Sequence, residues 1–221
     1  MSWQERPRQQ KKAGKPADDQ PSLEIQKTLY LGVQHQNAGD LAKAEHLYRQ
    51  VLETTPDEPT ALHLLGVLAF QTGRGEKATQ LFTRAIAVQP DNAETHSNLG
   101  VALLRTGKAD EAITSFRKAL AIQPDFLDAQ YNLGTVLSDQ GKHDEAAACF
   151  RKVLAISPKS SDVHCNLGVV LKKMGKFSEA ADSFYKALSI NPGVAEVHNN
   201  LGMVLAKLNR FDEAIASYNK A

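Results

Sequence analysis

Residues 93–126 read AETHSNLGVALLRTGKADEAITSFRKALAIQPDF, and residues 127–160, which follow directly, read LDAQYNLGTVLSDQGKHDEAAACFRKVLAISPKS. Set one above the other, they share Asn-Leu-Gly, a second glycine seven residues on, Asp-Glu-Ala, Phe-Arg-Lys and Ala-Ile-x-Pro at the same offsets. The period runs outward in both directions. Gly32, Gly66, Gly100, Gly134, Gly168 and Gly202 recur every 34 residues, each preceded by a leucine. Pro56, Pro90, Pro124, Pro158 and Pro192 keep the same step, as do Ala44, Ala78, Ala112, Ala146, Ala180 and Ala214. An aromatic column, Tyr48, Phe82, Phe116, Phe150, Phe184 and Tyr218, completes the pattern. Self-similarity of this length marks stacked units, none of which can bury its apolar face alone.

Within residues 93–126 the local signals predict a pair of helices. Asp91 and Asn92 can cap the first, and Gly107 ends it. Asp110 and Glu111 open the second and Arg117 and Lys118 stand towards its end, the signs that the helix dipole favours. Pro124 stops it. Ala112, Ile113, Phe116, Ala119 and Leu120 form one buried stripe on the second helix. On the first, His96, Leu99, Gly100 and Leu103 face the partner. A mid-helix glycine costs about 1 kcal/mol against alanine, so its return in every unit predicts a close crossing, with the Ala112 column as the small surface opposite.

Composition agrees with many small cores rather than one large one. The 221 residues carry 26 Lys and Arg against 25 Asp and Glu and only 6% aromatics. A net charge of +1 lacks the excess that phosphate binding draws on, so nucleic acid is not an expected partner. The longest apolar stretches, such as Leu64 to Phe70, fall far short of the roughly 20 residues a membrane span needs, so no membrane partner is expected. Arg6, Arg8, Lys11, Lys12 and Lys15 are followed by no apolar run, so no secretory signal is read. Cys149 and Cys165 are too few for a disulfide framework and fit a reducing, cytoplasmic setting. Residues 1–24 are polar and proline-containing, the composition of a disordered leader.

These columns resemble the tetratricopeptide repeat family: Leu-Gly in the first helix, Gly before the second, Ala with an aromatic four residues later, and Pro at the unit's end. The likeness divides the chain into units at 25–58, 59–92, 93–126, 127–160, 161–194 and an incomplete 195–221. Two departures are minor. The bulky residue favoured early in the first helix is Thr28, Leu62, His96, Gln130, His164 and His198, and Asn209 replaces the last interhelix glycine. The resemblance implies an all-α, right-handed superhelical solenoid of stacked antiparallel helix pairs, whose first helices line a concave groove that binds peptides or proteins.

On the first helices, the stripe Glu94, Asn98, Val101, Arg105 lies opposite the Leu and Gly face. It repeats as Asp128, Asn132, Thr135, Asp139, then Asp162, Asn166, Val169, Lys173, then Glu196, Asn200, Met203, Lys207. Asn98, Asn132, Asn166 and Asn200 thus form a ladder. With units about 10 Å apart, it would meet an extended peptide every three residues or so, each carboxamide able to donate to and accept from a backbone. This ladder, with an acid one turn earlier, resembles the superhelix of O-linked N-acetylglucosamine transferases. That likeness implies main-chain binding by the four asparagines and an influence on ligand choice by Glu94, Asp128, Asp162 and Glu196. Arg105, Lys173 and Lys207 complete the candidate groove residues. Asparagine before Leu-Gly is also common across the repeat family, so a packing role stands beside the binding one. The first two units depart, with Tyr30 and Leu64 in the ladder column. Leu29, Val33, Thr60 and Glu94 stand where the clamp for acidic chaperone C-termini would need bases, so that ligand is not expected.

No catalytic constellation can be assembled. Gly73 to Ala78 fits a GxGxxA pattern, but no strand precedes it and the period makes it an interhelix turn. His96, His164 and His198 share one column about 10 Å apart, too far to converge on one ion, and read as packing residues; no cofactor and no metal are expected. The leading expectation is a non-enzymatic protein-interaction scaffold that holds an extended protein segment. One alternative is the substrate-recruiting N-terminal arm of a larger O-GlcNAc-transferase-like enzyme continuing past Ala221. Another is a self-associating protein that uses the uncapped sixth unit, with its Phe211, Ala214, Ile215 and Tyr218, as a heterologous interface.

Overall fold

The computed structural model describes residues 22–221, and the expected leader at 1–21 lies outside them. The described residues form α-helices in antiparallel pairs. The first helices of the pairs are α1 (Leu23–Asn37), α3 (Pro59–Gln71), α5 (Ala93–Arg105), α7 (Leu127–Asp139), α9 (Ser161–Lys173) and α11 (Ala195–Lys207). The second helices are α2 (Leu41–Thr54), α4 (Gly75–Val88), α6 (Ala109–Ile122), α8 (His143–Ile156), α10 (Phe177–Ile190) and α12 (Phe211–Tyr218). Ser22, assigned to the leader by composition, already caps α1: its side chain accepts from the Ile25 amide.

One turn is repeated in every unit. Gly107 has φ +78°, its N–H reaches the Leu104 carbonyl, and the Lys108 N–H reaches that of Leu103 at 2.9 Å. This closes the helix with a Schellman motif and satisfies carbonyls that would otherwise be orphaned. Where the last glycine is replaced, Asn209 adopts φ 59°, a left-handed conformation that asparagine tolerates better than most residues. Several second helices start from a basic N-cap without a side-chain cap, Lys108 for α6 and Lys142 for α8 among them. Asp110 and Glu111, and Asp144 and Glu145, then supply the negative charge their first turns favour.

The core adds a neighbour to the expected one. The aromatic column lies nearest the glycine column: a Cβ on Gly100 would lie 2.6 Å from Cε1 of Phe116, and one on Gly168 the same distance from Phe184. The backbone of the first helix therefore lies against the ring of the second, and Phe116 and Phe184 are fully buried. Ala112, also fully buried, belongs to the same core. Each buried ring contributes about 2 to 3 kcal/mol by apolar burial.

Units are joined mainly by the second helix of one packing against the first helix of the next. His96 holds the Pro90 carbonyl through Nε2 at 2.9 Å, and His164 and His198 do the same to Pro158 and Pro192. These histidines act as packing residues at the joints, 4–8% exposed. Each first helix also touches the first helix of the next unit, whereas among the described residues the backbones of neighbouring second helices stay apart. The stack therefore curves with the first helices inside. On the outside the gaps between second helices are furrows bridged by exposed pairs, Arg117 to Glu145 at 2.7 Å and Arg151 to Glu179 at 3.0 Å. Such pairs are worth at most about 1 kcal/mol.

The two ends differ. In the column where Ala61, Thr95, Ala129, Val163 and Val197 are buried at the joints, the first unit presents an exposed lysine, Lys27. The sixth unit instead leaves Phe211 59%, Ile215 58% and Tyr218 42% exposed, although Phe184, in the Tyr218 column, is wholly covered.

Candidate functional site

The inner wall is built from one face of α5, α7, α9 and α11, and the ladder asparagines lie on it. Asn98, Asn132 and Asn166 are half-buried and Asn200 is buried. Asn166 donates through Nδ2 to the Tyr131 hydroxyl at 3.0 Å. Asn200 accepts through Oδ1 from the Lys172 ammonium at 2.6 Å. Asn98 and Asn132 have no hydrogen-bond partner among the described residues. The four positions that the period makes equivalent are therefore chemically unlike.

The two free carboxamides open into one pocket of about 490 Å³ between α5 and α7. It gathers four of the residues singled out by the sequence, Glu94, Asn98, Asp128 and Asn132, with Val101 from the same stripe. It also contains Ser97, Gln123, Phe126 and Tyr131, which the stripe did not include. Ser97 and Tyr131 stand three residues after Glu94 and Asp128, so the i, i+3 neighbours of the acids were the signal available. Phe126 and Gln123 come from the loop between units, whose course the helical period does not report.

The remaining candidates are placed apart. Arg105 donates to the Phe70 carbonyl at 3.2 Å and lies over the Phe70 ring, 5.1 Å from its centroid. Lys173 and Lys207, at the opposite end of the first helices from the acids, are exposed and, among the described residues, unpaired, as are Asp162 and Glu196. In the first two units Tyr30, 66% exposed, and Leu64 give the same wall an apolar start.

Charge along the wall is uneven. Glu94 lies 3.6 Å from Nε2 of His63, whose other ring nitrogen is 2.8 Å from the Thr95 hydroxyl. Burial holds the His63 pKa below its usual 6.5 in spite of that carboxylate, so the ring is neutral at pH 7 and leaves the Glu94 charge uncompensated. Farther along, burial first, then the Glu196 and Asp162 carboxylates, push the Cys165 thiol pKa up. Burial also pulls Lys172 down, reinforced by the charge of Lys173. Cys149 and Cys165 are both free thiols. No group of three or more metal-ligating side chains occurs among the described residues, and no helix there is long and apolar enough to cross a membrane.

Comparison with known proteins places this architecture. Tetratricopeptide repeat models match residues 37–100 and 163–221, and the model of the middle TPR-like domain of cilia and flagella-associated protein 70 matches residues 71–180. No curated protein matches the chain. Among solved structures, MamA is 26% identical and superposes with a TM-score of 0.70 over 78% of this chain and 94% of its own. PilW, a widely conserved type IV pilus biogenesis factor, is 22% identical with a TM-score of 0.74, covering 89% of this chain and 91% of that one. YrrB, described as a TPR protein with an unusual peptide-binding site, is 20% identical with a TM-score of 0.68, over 83% and 90% of the two chains. The helix pairs of this chain are tetratricopeptide repeats.

Proposed function

We propose that this chain is a protein-interaction scaffold that holds an extended peptide segment along its inner wall, with Asn98 and Asn132 as its main-chain contacts. One observation carries the reading. Two half-buried carboxamides with no partner of their own open side by side into a pocket that also holds Glu94 and Asp128. An extended chain can both donate to and accept from such amides, at about 1 kcal/mol net for each bond. Arg105, Asp162, Asn166, Lys173, Glu196, Asn200 and Lys207 form the rest of the wall and act on a ligand after the first contact. YrrB, which shares the fold, carries a peptide-binding site, so the architecture is suited to that use.

The four-rung, transferase-like reading narrows to two rungs, because Asn166 and Asn200 already serve Tyr131 and Lys172. A second reading, self-association, is favoured by the exposed stripe Phe211, Ile215 and Tyr218 on α12. Lys27 in the buried-joint column opposes a continuous head-to-tail stack, since that contact would bury its ammonium.

The test is a peptide array probed with the native chain and with the Asn98→Ala, Asn132→Ala double variant. The reading expects an unchanged melting temperature and loss of most array signal. A lowered melting temperature with array binding retained by the folded variant would make the asparagines packing residues. Sedimentation at increasing concentration tests the second reading, for which a constant monomer mass is the negative result.

A further inference from the structure

The same pocket sets what the bound segment must carry, an inference that rests on the groove reading above. Its lining contains two carboxylates, those of Glu94 and Asp128, and no lysine or arginine. His63, the nearest basic group to Glu94, is held neutral by burial. One wall is aromatic. Tyr131 is fixed by the hydrogen bond its hydroxyl accepts from Asn166 and by tilted packing on Phe150, 6.0 Å between ring centroids. Phe126 lines the same space. Ser97, also part of the lining, is only 3% exposed, and among the described residues its hydroxyl makes no hydrogen bond. That hydroxyl can donate to or accept from a ligand.

We infer that this pocket takes a basic side chain of the bound segment, an arginine or a lysine. The aliphatic stem would lie along Tyr131 and the cationic head would meet Glu94, Asp128 and the Ser97 hydroxyl. A cation over an aromatic face and charge-assisted hydrogen bonds to carboxylates are the two interactions that such a lining offers together. The same lining does not recur at the next joint, where Cys165 and Ser160 replace Tyr131 and Phe126 in the period and Asn166 is already bonded to the Tyr131 hydroxyl. A repeating groove that reads main chain has no intrinsic register, so one side-chain pocket fixes where a segment binds.

The experiment is an NMR titration of the isotopically labelled full chain with two capped nine-residue peptides of serine and glycine. One has a central arginine and the other a central citrulline, which keeps the shape without the charge. The arginine peptide is expected to shift the Ser97, Asn98 and Tyr131 resonances and to bind about tenfold more tightly than the citrulline peptide. Glu94→Gln with Asp128→Asn should erase that difference, and Asp182→Asn on the outer face should preserve it. Equal affinities, with both peptides shifting inner-wall resonances, would overturn the basic anchor and leave the groove reading standing. Shifts confined to the second helices, or no shift from either peptide, would overturn both.

Discussion

Asn98 and Asn132 occupy the same position of the repeat as Asn166 and Asn200, yet the first two are free and the second two are bonded within the chain. The difference comes from the neighbours. Tyr131 reaches forward one unit to Asn166, whereas the residue one period earlier is Ser97, too short to do the same for Asn132. Lys172 reaches forward to Asn200, whereas one period earlier Ser138 offers no long donor to Asn166. A repeat fixes where a side chain sits, and its non-repeating neighbours decide whether it is spent on structure or left for a ligand. The two halves of the ladder should therefore respond differently to the same change.

The largest expected effect sets the scale against which that difference is read. Gly134 lies on α7 with Asn132, but on its packing side, where a Cβ would already lie 2.9 Å from the Phe150 ring. Gly134→Leu should destabilise by about 1 to 3 kcal/mol through overpacking, seen as a lowered thermal midpoint, and an unchanged midpoint would break the account of the glycine column. Asn200→Ala comes next. It strips the acceptor from a part-buried ammonium and should cost about 1 to 3 kcal/mol, again read by thermal melting. Asn98→Ala removes no partner and should stay within about 0.5 kcal/mol of the native chain. Equal losses in the two variants would erase the distinction between held and open rungs.

Tyr131→Phe moves a residue from one class to the other. Deleting the hydroxyl releases the Asn166 amide and should lower stability by about 0.5 to 1.5 kcal/mol. If an open rung is what a peptide requires, the folded variant should also bind array peptides at least as well as the native chain. Weaker binding by a variant that still folds would place the Tyr131 hydroxyl itself in the contact.

The fold was legible in the sequence because each determinant is local and repeated. The glycine turn, the acidic first turn and the proline stop are all read within one unit, and several units repeat the message. Asn209 shows the same logic surviving a substitution, since asparagine supports the left-handed turn. The ring beside the glycine was not legible, because helical period gives the face a residue is on but not which columns of the partner helix lie against it; the ring of the aromatic column fills the space a missing Cβ leaves. Half of the candidate pocket was legible for the same reason, through the Glu94 and Asn98 stripe. Phe126 was not, because it enters from an interunit loop. The bonds from Tyr131 and Lys172 were not, because they depend on side-chain reach between units and not on spacing within one.

Acid offers the finest separation of the two halves. His63 supports the open end of the ladder through Thr95 and Glu94, and its folded pKa lies below 6.5 because burial outweighs the attraction of Glu94. Above pH 6.5 the ring is neutral in both folded and unfolded chains, and this site adds no pH dependence. As the pH falls through 6.5 the unfolded chain takes up a proton that the folded chain resists, so stability declines towards the lower, folded value. His63→Gln should flatten that part of the melting profile. Below the folded value the new charge stands beside Glu94 and offsets it, so a cationic segment should be held less tightly at the open rungs. Asn200 takes its hydrogen bond from the Lys172 ammonium and not from an imidazole, so the His63 response is not expected at that rung. A fall in stability below pH 6.5 that persists in His63→Gln would assign the acid response to some other group.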